Sequence, residues 1–310
     1  MSSTDSHFPT RSSGSIPAWA GAFRDPATAR HFVSVVADVI EQRWGDTASF
    51  DLDDGRLTLA DRRTIDFANT AHELVGFDEP YWRQYLFLML SDYEAFDPQA
   101  LDRELRSWTQ IRSRLRVRLF PTTTPEVMGD RELIRRPVSD HLSFIIAADS
   151  DLGCVPVPAD VTDEWGKPLE QAWRAAIKNT RVRASFHVAV ANTPTANFIM
   201  LDGDLYTTGA ARDLDRFLPG VIGPHGALVA APTSRSLFVQ PIEHPDHVAD
   251  DAMGLAVAAA TFMQIEPSPL SNDVLWYRGV DELVGALDIG PGHRIRNVAP
   301  EPMASWLGPD

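Results

Sequence analysis

The chain has 310 residues, 44% hydrophobic and 23% charged, enough for one large domain or two modest ones with cores of their own. Its formal net charge of −15 disfavours general nucleic-acid or anionic-membrane binding, because such a field repels phosphates, and suits a basic protein partner. The single cysteine, Cys154, excludes an intrachain disulfide and a cysteine-rich metal site; beside an apolar run it reads as a buried small hydrophobe.

Residues 1–24 are rich in Ser and Thr, lack the apolar stretch of a secretory signal, and are expected to form a disordered tail. From Ala27 to Trp44, Phe32, Val35, Val36, Val39 and Ile40 recur at helical spacing, and Gly45 ends the helix. Phe50-Asp51-Leu52 and Leu57-Thr58-Leu59 flank Asp53-Asp54-Gly55, whose Asp-Gly supplies the positive φ of a tight hairpin. Helices are predicted over Ile65–Val75 and Pro80–Tyr93, the second with Tyr81, Tyr85, Leu88 and Met89 on one face. A further helix from Asp97 carries Leu101, Leu105 and Trp108.

The pattern then turns to strand alternation, with Leu115, Val117 and Leu119 on one side and Arg112, Arg114, Arg116 and Arg118 on the other. Strands are expected at Leu142–Ala147 and Cys154–Val157. A helix follows, with Pro168 at its start and Leu169, Trp173, Ala176 and Ile177 as its apolar stripe. Phe186–Ala191, Phe198–Leu201, Ala227–Ala231 and Leu237–Val239 read as strands, and Asp202-Gly203 as a turn. A helix from Asp246 to Gln264 stops before Pro267 and Pro269; its apolar run Ala252–Met263 is too short to span a bilayer. The last 40 residues read as short elements rich in Gly and Pro.

The run Val155-Pro-Val-Pro-Ala-Asp-Val-Thr-Asp-Glu-Trp-Gly-Lys-Pro-Leu-Glu-Gln-Ala-Trp, continued by Ala176-Ile177-Lys178-Asn179, resembles the YtpQ-like family of uncharacterised bacterial proteins. There an apolar strand leads to a Thr, a Trp-Gly and a helix ending in Ala-x-x-Asn. Ala231-Pro-Thr-Ser-Arg-Ser-Leu-Phe-Val is similar to that family's Pro-x-Arg-x-x-Leu strand, and the Asp53-Asp54-Gly55 hairpin and the Asn69 helix are similar in placement. The stretch from Arg112 to Arg136 and the residues after Pro241 lie outside the likeness. The resemblance implies a fold and a cytoplasmic bacterial setting, and no chemistry.

Among candidate sites the arginines Arg112, Arg114, Arg116 and Arg118 are the sharpest. Guanidinium forks hold carboxylates and phosphates bidentately, so an exposed row of them suits an anionic ligand or an acidic segment. Cross-strand pairing with the chain's own surplus carboxylates is the alternative. Asn179, Asn192, Asn197, Ser234 and Arg235 fall near element ends, where polar groups line a pocket or, more often, cap helices and close turns. His244, Asp246, His247, Asp250 and Asp251 are metal-ligand types, but acidic residues at a helix start are expected from the macrodipole, and no metal or cofactor is assigned. His141 and His187, isolated between apolar residues, read as structural histidines. No phosphate loop, dinucleotide fingerprint, nucleophile elbow or His-Glu-x-x-His helix occurs in the sequence.

The expected fold is α+β: a mixed or mostly antiparallel sheet with packed helices, in two loosely separated lobes. A mainly helical lobe with a β-hairpin spans residues 25–110 and a larger lobe spans 111–310. Trp44, Trp82, Trp108, Trp165 and Trp173 are expected as core or lobe-interface anchors. The expected function is a cytoplasmic binding or accessory protein, immunity- or adaptor-like, that recognises another macromolecule, with a protein partner and without nucleic acid or membrane. The alternative is an enzyme acting on a small anionic substrate held by the arginine face.

Overall fold

The computed structural model describes residues 16–122, 131–150, 153–264, 266, 269–290 and 294–308. The fold is α+β, and every strand pairing in it is antiparallel. The chain divides into two compact units, the first ending at Phe96 and including Glu266, the second formed by the rest. No described helix is long and apolar enough to cross a membrane.

In the smaller unit, α1 (Pro26–Trp44) starts at Asp25, whose carboxylate accepts the Thr28 N–H at 2.8 Å. Three short strands follow, β1 (Ser49–Asp51), β2 (Arg56–Thr58) and β3 (Thr64–Asp66), paired in that order. The third replaces the first turn of the helix predicted from Ile65. Ile65 is buried opposite Leu57, and the helix α2 (Ala68–Leu74) begins only after it. In α3 (Glu79–Ala95) the buried line is Trp82, Leu86 and Leu90. The predicted face is displaced from it, and Tyr81 and Leu88 are exposed. The expected tail is ordered from Ile16 onward, because Trp19 and Phe23 are buried against Phe32, Phe50, Phe67 and Trp82; residues 1–15 lie outside the described residues. Gly55, at φ +66°, has the Trp19 ring where a Cβ would stand, 2.4 Å away, so the hairpin turn and the aromatic core both require glycine there.

The larger unit opens with α4 (Pro98–Arg106) and α5 (Trp108–Ile111), which belong here because Leu105 and Ile111 are buried with Leu115 and Val117. Then come β4 (Leu115–Pro121), β5 (Arg135–Pro137), β6 (Leu142–Ser150) and β7 (Gly153–Pro156), in which β6 is flanked by β4 on one side and by β5 and β7 on the other. After α6 (Leu169–Arg183) follow β8 (Phe186–Asn192), β9 (Asn197–Gly203), α7 (Leu214–Phe217), β10 (Ala227–Thr233), β11 (Ser236–Pro241) and α8 (Val248–Met263). The chain ends with β12 (Val274–Gly279), β13 (Glu282–Gly290), β14 (Arg294–Asn297) and α9 (Met303–Leu307).

A seven-stranded sheet runs β14-β13-β12-β10-β11-β9-β8. Alternation along its strands sends Val229, Val239, Leu201, Leu275 and Tyr277 into one core with β4, β6 and Trp173 of α6. Leu228, Phe238, Phe198, Val274 and Trp276 go into a second core with Val248 and Leu255 of α8. The middle of the sheet is therefore buried on both faces, and β10 is buried along its whole length. Asp202 and Gly203 continue β9 opposite Ser236 and Phe186 instead of forming the predicted turn. The expected short terminal elements are three strands of this sheet; Val274–Tyr277 faces a core on each side and so shows no alternation.

Candidate functional site

β4 starts at Leu115, so the arginine row is divided between a helix end, a connection and a strand. Arg112 stands at the C-cap of α5, exposed, and its carbonyl accepts from Asn179 Nδ2 at 2.8 Å. Arg114, in the connection, donates from Nε to the Asp149 carbonyl at 2.6 Å and from Nη1 to Glu104 at 2.7 Å. Arg116 is only 3% exposed; it donates to the Ser113 and Leu115 carbonyls and pairs with Asp149 at 2.7 Å. Burial lowers its pKa against the pull of Asp149, and as an arginine it stays charged. Arg118 is buried with its guanidinium 5.6 Å from the Phe120 ring. Beside it lies Cys154, whose thiol pKa is raised by burial.

A cleft of about 570 Å³ adjoins Arg114, lined by Glu104, Asp149, Ser150, Arg183, Asp204 and Tyr206. Burial raises the pKa of Asp204, whose oxygens accept from the Ser185 and Tyr206 N–H groups. Three carboxylates and two guanidiniums share this cleft, so its field does not select for an anion.

The other predicted pocket residues serve local structure at separate places. Asn179 Nδ2 ties α6 to the Arg112 and Leu115 carbonyls. Asn192 faces Asn197 at one end of the β8–β9 pair, whereas Arg235 donates to the Gly203 carbonyl at the other. Six residue steps at about 3.3 Å each separate those ends by roughly 20 Å, too far for one pocket. Ser234 is buried in the β10–β11 turn. His187 is exposed on β8.

Residues from three distant parts of the chain meet elsewhere. Asp273, immediately before β12, is fully buried and accepts from Ser139 Oγ at 3.0 Å and from the Ile289 N–H at 2.9 Å. His141, immediately before β6, places Nδ1 at 3.1 and 3.0 Å from the two carboxylate oxygens of Asp273. Asp288, in β13, is 3% exposed and accepts from Arg296 Nη2 at 2.6 Å through Oδ2, while its buried Oδ1 has no hydrogen-bond partner. Burial raises the Asp288 pKa, although Arg296 opposes this. Arg296 also holds Asp140 at 2.5 Å. Neither aspartate stands out in sequence, because Asp273 and Asp288 are single acidic residues in segments read as irregular.

The two sheets also present edges of different character. The free edge of β4 is capped by Thr180 and Thr208 hydroxyls, which accept the Val117 and Leu119 N–H groups at 2.8 and 3.2 Å. β14, at one end of the large sheet, carries exposed Arg294 and Arg296. β8, at the other end, pairs with β9 alone among the described strands and carries no charge apart from His187 when protonated. Val188 and Val190, 53% and 73% exposed, share the face of their cross-strand partners Leu201 and Ile199. Val182, near the end of α6, is exposed as well.

Comparison with known families, curated proteins and solved structures finds no match to this chain.

Proposed function

We propose that this chain is a binding protein, working in the cytoplasm, that takes an extended segment of a basic partner protein onto the open edge of β8. One observation carries it: β8 is a seven-residue, uncharged edge with two exposed valines, while β14 at the opposite end of the same sheet is armed with arginines and the edge of β4 is capped by threonines. Exposed edges are ordinarily blunted by charge, proline or a bulge, and an unblunted one is a template for strand addition. An added strand gains main-chain hydrogen bonds, and full burial of each valine contributes up to about 1.5 kcal/mol. The net charge of −15 favours a basic partner over a second copy, because two such chains repel. The cleft beside Arg114 gives the small-anion enzyme less support, since Arg114 is paired within the chain and the cleft's two guanidiniums are outnumbered by three carboxylates.

The test is parallel affinity capture with the wild-type chain and a Val188→Lys/Val190→Lys variant of unchanged circular dichroism. A stoichiometric protein held by the wild type and lost by the variant supports strand addition. Equal capture by both places the interface elsewhere. A wild-type dimer that the substitutions split would make the occupant a second copy.

A further inference from the structure

The cluster around Asp273 lies apart from the β8 edge and has a charge imbalance of its own. Asp140, Asp273 and Asp288 contribute three carboxylates, against the single guanidinium of Arg296, which holds two of them. With His141 neutral, the group carries a net charge of −2. Buried carboxylates ordinarily have partners for their oxygens. Asp273 has them in Ser139 and the Ile289 N–H, but Asp288 Oδ1 is shielded from solvent and lacks one. His141, Asp273 and Asp288 each offer one ligand atom, all within 4.8 Å of one another.

We propose that His141, Asp273 and Asp288 bind one divalent first-row cation, with zinc preferred and manganese second. A 2+ ion balances the surplus charge and gives Asp288 Oδ1 the partner it lacks. One imidazole nitrogen and two carboxylate oxygens are zinc and manganese ligands; calcium and magnesium favour all-oxygen shells. A tetrahedral ion with bonds of about 2.0–2.1 Å needs its ligand atoms about 3.3 Å apart, so the widest separation must close by at most about 1.5 Å. His141, whose side chain is 38% exposed, can make that adjustment from the rim, while Asp288 is set in β13 and Asp273 is held by Ser139 Oγ and the Ile289 N–H. If the ion takes the Nδ1 that now faces Asp273, the neutral imidazole carries its single proton on Nε2 instead.

The experiment is calorimetric titration of ZnCl2, and separately MnCl2, into the full-length chain after EDTA treatment and dialysis. One zinc per chain is expected, binding more tightly than manganese. Asp288→Asn and His141→Gln should each weaken zinc by at least the roughly 10- to 100-fold that losing an outer-shell partner costs. His247→Ala, at the histidine- and aspartate-rich start of α8, should leave binding unchanged. Arg296→Ala removes the cation competing for Asp288 and should tighten zinc, a change that a purely structural aspartate would not produce. His141→Gln removes a half-exposed group, so it tests the site even if Asp288→Asn fails to fold. The proposal is overturned by absence of zinc binding, by equal binding in the wild type and His141→Gln, or by loss of binding in His247→Ala.

Discussion

Around Asp149 the chain keeps its charges matched: Arg116 pairs with the carboxylate and donates from Nη1 to two backbone carbonyls, leaving its Nε without a partner, and Arg114 bonds the Asp149 carbonyl and Glu104. Around Asp273 it does not. There three carboxylates gather about one arginine, and a buried oxygen is left without a partner. The arginines of the first group come from a short contiguous stretch and make a conspicuous sequence pattern, with Asp149 35 positions from Arg114; the second group is assembled from residues up to 156 positions apart. The difference teaches that a regular run of one charged residue type calls for its counter-charges nearby and ends up paired, whereas an unbalanced cluster needs a ligand to complete it.

The largest effect expected from breaking this contrast is at Asp273. Asp273→Ala leaves Ser139 Oγ and the Ile289 N–H without their acceptor in a buried setting. At about 1–3 kcal/mol for each stranded donor, the larger unit should lose about 3 kcal/mol, measured as a fall in the urea midpoint. A loss below about 0.5 kcal/mol, the range of an ordinary surface change, would mean that Asp273 does not organise the cluster.

Arg116→Met should cost less, about 1–2 kcal/mol, although the arginine is almost as buried. The Asp149 side chain is 30% exposed, so when its partner goes it regains water instead of remaining an isolated buried charge. Methionine also fills the volume and does away with the Arg116 Nε that now lacks a partner. If Arg116→Met proves costlier than Asp273→Ala, the matched group is the more critical of the two and the contrast is reversed.

How much of this was legible in the sequence follows from where the partners lie. α1, the β1–β2 hairpin and the strands β8 to β11 show their periods in short windows, and the α+β class follows from them. Val274–Tyr277 conceals its strand because both its faces are buried. Ile65 looks like the start of a helix because its strand partner Leu57 lies across a turn. For the candidate site, the arginines were visible as residues, but the burial of Arg116 was not, since its partner Asp149 reaches it only through the fold. His141 was visible only as a lone histidine; Asp273, which orients it, is 132 residues away. The open edge of β8 is invisible for another reason, because nothing in seven uncharged residues tells an edge strand from a central one.

Acid should loosen the exposed matched charges in a defined direction. Asp102 is held below the ordinary carboxylate range chiefly by the Arg106 hydrogen bond, and Asp160 chiefly by that of Arg131. A carboxylate with a depressed folded-state pKa adds stability that is fully present above the unfolded value of about 3.9 and lost as pH falls through the folded one. The urea midpoint should therefore fall below about pH 4. Arg131→Ala, which removes a donor from both aspartates, should flatten that fall. Water and salt screen these groups, so the whole contribution should stay within about 1 kcal/mol and shrink further in high salt. An acid limb as steep in Arg131→Ala as in the wild type would assign it to other carboxylates.

The smallest effect is expected at Arg112, and it is the sharpest check on the arginine pattern. Alternation in the sequence makes Arg112 the equal of Arg116, but the fold puts it at the C-cap of α5, exposed, before the strand begins. Its side chain has no ion pair among the described residues, and what α6 uses of it is the carbonyl, which any residue supplies. Arg112→Ala should then change stability by no more than about 0.5 kcal/mol and leave capture of any partner unchanged. Helix formation in the last turn of α5 should also survive, since alanine is at least as good a helix former as arginine. Arg114→Ala provides the graded control, because it severs the bonds to Glu104 and the Asp149 carbonyl and should cost more than Arg112→Ala and less than Arg116→Met. If Arg112→Ala instead abolished partner capture while Val188→Lys/Val190→Lys did not, the interface would lie on the arginines, and the matched charges would be a binding surface after all.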